Sequence, residues 1–247
     1  MNGLNVLLTG ACGRIGRTFF EASQDRYTFV LTDRIEPDFT VDAPHRFVRQ
    51  DLSDLTAISE VLKGIDVIVH LAGIPHATAS FDELLPNNIL ATTYLFEAAV
   101  TAGCKRLVFA SSAQTIEGYP VDRQITPGMQ VMPANLYGVS KCSGAAVCAF
   151  YAAKHNLSSI AIRIGAFEFA DRHELTNARD LSAWLSPRDA VQLLQLSVEV
   201  KGVQHLIAHG ISNNRFKRLD LSETTRVLGY RPVDDAFQEF DIPIGFP

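Results

Sequence analysis

Three features of the 247-residue sequence predict an α/β fold with one doubly wound parallel sheet of about seven strands. Short apolar runs alternate with segments of helical period along most of the chain. Several of those runs, such as Val67-Ile68-Val69 and Leu107-Val108-Phe109, are apolar throughout, as strands covered by helices on both faces must be. Glycines at positions 10, 13 and 16 sit between the first such run and the first helix, where a chain turns sharply from strand to helix.

The elements follow in order. Residues 5–9 form a strand that enters the glycine turn, and 14–24 a helix. A second strand covers 27–32 and ends at Asp33. After a loop at 35–45, a third strand at 46–49 ends at Asp51, followed by a helix at 55–63. Residues 66–71 are a strongly apolar fourth strand. A long helix runs over 81–102, with Pro86 near its beginning. The fifth strand, 105–110, closes on Ser111 and Ser112. Residues 134–155 form a helix carrying Tyr137 and Lys141, followed by a sixth strand at 159–164. Pro187 opens a helix over 189–199, and 204–208 is the seventh strand. Beyond about residue 166 the alternation loosens. The chain therefore reads as one domain over 1–247, with insertions near 167–186 and 209–247 forming a small C-terminal substrate-binding lobe.

Composition narrows the classes of partner. Hydrophobic residues make up 47% of the chain and the formal net charge is −5, which supports a large core and argues against nucleic acid or an anionic membrane as partner. No apolar run is long enough for a membrane span, and the N-terminus lacks the basic start of a signal peptide. The four cysteines, Cys12, Cys104, Cys142 and Cys148, include no C-x-x-C pair and read as reduced thiols of a cytoplasmic protein. No metal-ligand cluster stands out.

The glycine turn is a Rossmann-type fingerprint when flanked by strand and helix. Gly10 permits the tight turn, Gly13 a close approach of backbone to pyrophosphate, and Gly16 close packing of helix on strand. Arg14 and Ile15 begin the helix, whose first N–H groups face a phosphate. Asp33 stands about 20 residues on. Its carboxylate can accept hydrogen bonds from a ribose diol and would repel a 2′-phosphate, which favours NAD over NADP, although Arg34 beside it pulls the other way. Asp51 and Leu52 either flank the adenine or begin a helix. Leu71, Ala72 and Gly73 close the fourth strand where a nucleotide would lie, and Ile164 ends the sixth. Asn88 orders backbone or water near the catalytic helix, or simply packs.

Tyr137 and Lys141 lie one helical turn apart on one face. Oxidation of an alcohol needs a base for the hydroxyl proton and an acceptor for hydride, and NAD is an acceptor. Tyr137 serves as the base if its pKa falls below the usual ~10, and the Lys141 charge favours that fall. Lys141 can also hold the nicotinamide ribose. Ser112 is placed to steady the substrate oxygen, with Ser111 turned to the core. Together with the glycine turn, this predicts a nicotinamide-dependent oxidoreductase.

At these residues the chain resembles the extended short-chain dehydrogenase/reductase superfamily, and within it the short uronate dehydrogenases and related NAD-dependent sugar dehydrogenases. The resemblance covers nearly the whole chain. It rests on Thr9-Gly10-x-x-Gly13-x-x-Gly16, Phe109-Ala110-Ser111-Ser112, Leu136-Tyr137-Gly138-Val139-Ser140-Lys141-Cys142, Ile162-Arg163-Ile164-Gly165, Arg179 with Leu181-Ser182-Ala183-Trp184-Leu185-Ser186, and Gly210-Ile211-Ser212-Asn213. It implies a cytoplasmic enzyme of carbohydrate metabolism that oxidises a sugar or sugar acid, for a uronate from the C1 hemiacetal to the lactone. It also implies association through the helices at 81–102 and 134–155, hence a homodimer. An arginine placed like Arg179 holds the sugar carboxylate in that group, bidentate recognition being what a guanidinium does well; the other reading pairs it with Asp180 or leaves it on an exposed loop. The group's Asn-His after the paired serines is Ala113-Gln114 here, so Gln114 takes a substrate-contact position and Ala113 offers no side-chain hydrogen bond. The loop at 74–80 also departs, and His76 either supplies a contact or is a surface histidine. Two rival readings are a sugar-nucleotide epimerase or dehydratase with tightly held NAD, and a nucleotide sensor without chemistry.

Overall fold

The computed structural model describes residues 3–169 and 177–241. Seven parallel strands form the main sheet: β1 (Asn5–Thr9), β2 (Thr28–Asp33), β3 (Arg46–Arg49), β4 (Val67–His70), β5 (Arg106–Ser112), β6 (Ser158–Ile164) and a last strand, His205–Gly210. Their spatial order is third, second, first, fourth, fifth, sixth, last. The order reverses between β1 and β4, whose paired ends are Thr9 and His70. A crevice outside the carboxyl ends at such a reversal is where ligands bind in open α/β sheets. The α/β class and the seven parallel strands agree with the sequence reading.

The strands are buried on both faces because successive side chains point to opposite sides. Val6 and Leu8 join one core cluster with Phe19, Phe29 and Ile162. Leu7, between them, joins the other with Ile68, Phe96 and Leu107. The first cluster is closed by α1 (Arg14–Ser23) and a helix at Pro187–Glu199, which pack on each other. The second lies under α2 (Leu55–Val61) and the helices that follow β4 and β5.

The long helix expected over 81–102 is interrupted. A turn of α3 (Phe81–Leu84), begun by a reciprocal Ser80–Glu83 cap, passes into a π-helical stretch at Leu85–Leu90 and then α4 (Ala91–Ala102). Pro86 has no N–H to give an ordinary helical ladder, and the widened turn carries Asn88 inwards. The catalytic-helix candidate, α5 (Leu136–His155), starts at Asn135, whose side chain accepts the Gly138 N–H at 2.8 Å. It ends at Asn156 in the left-handed conformation, φ 54°.

The short elements beyond β6 were not resolved by periodicity. A two-stranded parallel sheet pairs β7 (Ala166–Phe167) with β8 (Trp184–Leu185), joined to α6 (Ala178–Ala183). The helix at Pro187–Glu199 is α7, the last main-sheet strand β9, and α8 (Ser222–Leu228) and α9 (Ala236–Glu239) follow. Trp184 is buried among Leu181, Ala236 and Phe240. Its indole N–H donates to the Glu168 carbonyl at 2.9 Å, and its own carbonyl accepts from Ser212 and Asn214. One side chain thus ties together segments from both predicted insertions.

Candidate active site

A cleft of about 760 Å3 opens at the carboxyl ends of the strands, between the glycine turn and the first turns of α5. At the glycine end, Gly10 has φ +69°, and a Cβ there would stand 2.7 Å from the Ala72 nitrogen. A Cβ on Gly16 would stand 2.2 Å from the Gly10 carbonyl oxygen, so only glycine lets α1 lie against the turn. Gly13 caps α1 without a side-chain hydrogen bond. The uncapped N–H groups of α1 and its dipole are the elements of an anion site. Gly13, Arg14, Ile15 and Gly16 all line the cleft.

Asp33 lines the same end and is held from two sides. One carboxylate oxygen accepts the Cys12 N–H at 3.0 Å and the other the Arg34 N–H at 2.7 Å. The Arg34 guanidinium turns instead to the Asn87 carboxamide, at 2.8 Å. Asp51 accepts the Ser53 N–H at 2.9 Å, the helix-start arrangement, and still lines the cleft beside the buried Leu52. The Ser53 backbone bond, the largest influence, holds the Asp51 carboxyl below its ordinary range.

Three buried polar atoms along the cleft have no hydrogen-bond partner among the described residues: Thr32 Oγ1 and Gln50 Nε2 at this end, and Ser111 Oγ at the other. Buried polar groups are otherwise nearly always hydrogen-bonded, so each is suited to a group of a bound ligand. A dinucleotide, with its ribose hydroxyls, phosphates and carboxamide, carries such groups along its length. The glycine cradle, the uncapped helix and these orphaned atoms fit NAD. Sequence reasoning passed over Thr32 and Gln50; their signal was position, each directly preceding an aspartate at a strand end.

In the middle of the cleft, Leu71, Ala72 and Gly73 form the wall after β4. Asn88 stands behind it, buried. It accepts the Ile74 N–H at 2.8 Å and donates to the Ile74 carbonyl and to Ser140. Of the readings given to Asn88, the ordering of backbone near α5 is the one its contacts match; Asn87 is the neighbour that lines the cleft. Beneath lies His70, bonded to Thr9 and Thr92 and driven by burial to a pKa of about 3.

Tyr137 and Lys141 meet Ser111, Ser112 and Ile164 at the far end. Lys141 Nζ sits 5.0 Å from the centre of the Phe109 ring and 5.8 Å from that of Tyr137. Burial pulls its pKa from 10.5 down to about 8. The Tyr137 phenol does not show the fall foreseen for it. Burial raises its pKa, and the hydrogen bond from Ser112 only partly opposes this. The reason is geometric: the ammonium lies over the rings inside the protein, and both groups lose hydration together. Ser112 Oγ also accepts the Gln114 N–H at 3.1 Å. Ser111, expected to face the core, is buried but borders the cleft.

On the remaining side, the Gln114 side-chain oxygen accepts from Asn135 at 2.7 Å, which ties it to the cap of α5. His76 lies exposed at the rim. Arg179 reaches the cleft, but its guanidinium is engaged. Nε and one terminal nitrogen donate to the two Glu117 oxygens at 3.0 and 2.6 Å, and the other terminal nitrogen donates to Asp180 at 2.7 Å. Arg14 is paired with Glu168 and stacked on Phe167 and Phe169.

Comparison with known proteins agrees with this geometry. Residues 6–221 match the model of the NAD dependent epimerase/dehydratase family. The chain belongs to that family. It is 34% identical to uronate dehydrogenase of Pseudomonas putida, covering 94% of this chain and 84% of the relative. It is also 34% identical to the NAD-dependent glucose-6-phosphate dehydrogenase of Haloferax volcanii, covering 94% of each. The crystal structure of a uronate dehydrogenase mutant from Agrobacterium tumefaciens, complexed with NAD, superposes with a TM-score of 0.87 at 32% identity, covering 99% of this chain and 91% of that one. The resemblance to extended short-chain dehydrogenases and the expectation of NAD as cofactor are borne out: the chain is an NAD-dependent enzyme of this type. No helix among the described residues is long and apolar enough to cross a membrane.

Proposed function

We propose that the protein oxidises a sugar or sugar acid at C1, from cyclic hemiacetal to lactone, with NAD, using Ser112, Tyr137 and Lys141. The observation that carries this is the convergence of those three side chains at one end of a cleft whose other end is a glycine cradle. NAD, when bound, supplies the hydride acceptor. Gly10, Gly13 and Gly16 would let its pyrophosphate approach the backbone, Asp33 would take a ribose diol, and Thr32, Gln50 and Ser111 would gain partners from it. Ser112 donates to the sugar hydroxyl oxygen and fixes its direction. Tyr137 accepts the hydroxyl proton at its phenolic oxygen as the C1–H bond breaks, leaving a C1 carbonyl. Protonated Lys141 favours the phenolate that burial disfavours. His76 and Gln114 border the sugar, and the Trp184-anchored elements form its lobe.

Four unpaired thiols suit a reducing, cytoplasmic setting. Exposed Leu136, Val139 and Phe150 on α5 suit a homodimer built on that helix.

The test is reduction of NAD by a panel of aldoses, uronates and sugar phosphates, followed at the reduced-nicotinamide absorbance. Turnover of at least one is expected, with Tyr137→Phe lowering kcat about 100-fold or more while NAD still binds by calorimetry. A folded, NAD-binding protein that reduces no cofactor with any sugar would overturn the proposal. So would a Tyr137→Phe variant of unchanged kcat.

A further inference from the structure

The charge around Arg179 deepens the proposed reading and rests on it. The guanidinium is 19% exposed and carries two carboxylates, Glu117 through a two-point contact and Asp180 through one. These partners are 13% and 27% exposed, so solvent screens the group only modestly. Arg218 also faces Glu117 and Arg179. It is 2% exposed, and its terminal nitrogens donate to the carbonyls of Tyr119, Pro120 and Arg123. With Glu117, Asp180 and Asp122 around the two guanidiniums, the cluster has no net positive charge to offer an anion. A sugar carboxylate or phosphate at Arg179 would be a third anion on one guanidinium.

The rest of the described sugar-side wall adds no permanent cation in its place, and its one imidazole, His76, lies exposed at the rim. Ala113 is buried and apolar, and Gln114 and the serines are neutral. Arg14 is occupied by Glu168. Arg34 lies at the Asp33 end, and Lys141 is buried over the Phe109 and Tyr137 rings. A hydroxyl differs from a carboxylate in that it both donates and accepts. It can accept a remaining Arg179 N–H without adding charge.

We infer that the substrate is an uncharged aldose, and that Glu117 is the positioning residue that, through Arg179, sets the site against sugar acids and sugar phosphates.

The experiment compares matched sugars on the full-length protein with NAD: D-galactose against D-galacturonate, and D-glucose against D-glucuronate and D-glucose 6-phosphate. The expected kcat/KM is higher for the uncharged member of each set by about tenfold or more, since an added like charge at a paired site is strongly disfavoured. In Glu117→Gln, which keeps the shape and removes the charge, the ratio of uronate to aldose kcat/KM should rise about tenfold, chiefly through the uronate KM. Asp180→Asn should move it the same way, and it supplies the second reading if Glu117→Gln fails to fold. A wild-type enzyme that prefers the uronate or the phosphate overturns the inference and leaves the dehydrogenase proposal standing. A preference for aldoses that neither folded variant alters removes Glu117 from its role. No turnover of any sugar by protein that binds NAD overturns the proposal and the inference together.

Discussion

Lys141→Met should make the cofactor-free protein more stable and inactive at once. The ammonium is 5% exposed, over the Phe109 and Tyr137 rings and beside Gly73. Burial lowers its pKa from 10.5 to about 8. At about 1.4 kcal/mol per pH unit, holding the charged form inside costs about 3 kcal/mol. Loss of the cation–π contacts returns about 1 kcal/mol of that, so the variant should gain about 2 kcal/mol near neutral pH. The sign with pH is fixed by which state holds the proton. Because the folded pKa lies below the unfolded one, the penalty is whole below about 8. Between that value and 10.5 the unfolded chain binds the proton and the folded chain does not, so wild-type stability rises relative to the variant. Urea unfolding of both proteins across this range measures the difference directly. A variant less stable near neutrality, or a stability gap that stays constant through the window, would refute the buried-charge reasoning.

Asp33→Asn should weaken NAD binding about tenfold by calorimetry, since a charged acceptor for the ribose diol becomes neutral, and should narrow the preference for NAD over NADP; unchanged affinity for both would remove Asp33 from the cofactor site. Gly16→Ala places a methyl 2.2 Å from the Gly10 carbonyl oxygen, so it should destabilise the fold by about 1–3 kcal/mol and abolish measurable NAD affinity. A thermal melt and an NAD titration check both, and a variant that melts and binds like wild type would show that the turn tolerates a side chain.

Some of the site was written locally. The tight turn, the uncapped helix start and the one-turn spacing of Tyr137 and Lys141 depend on neighbours within a few residues, so they are legible in sequence. The strands were visible because apolar runs bury both faces, and their edges shifted by only a residue or two, as strand ends do when pairing continues past the apolar core: β5 runs on through Ser111 and Ser112 because both pair with β6. The interruption at Leu85–Leu90 was not visible beyond the presence of Pro86, because a π turn forms only when surrounding contacts, here Asn88 with Ile74 and Ser140, hold it open.

What the sequence by itself determined was the frame: a parallel α/β sheet, a nucleotide cradle, and a phenol and an amine on one helical face. Each follows from short-range sterics and periodicity. Tertiary structure alone decided the electrostatics. Arg179 and Glu117 are 62 residues apart, and Arg14 and Glu168 154 apart, and nothing local to any of them announces its partner. The fall expected for Tyr137 became a rise because burial, a property of the whole packed chain, outweighed the hydrogen bond from Ser112. Charge and hydration depend on everything within several ångströms, and only the folded chain brings those groups together.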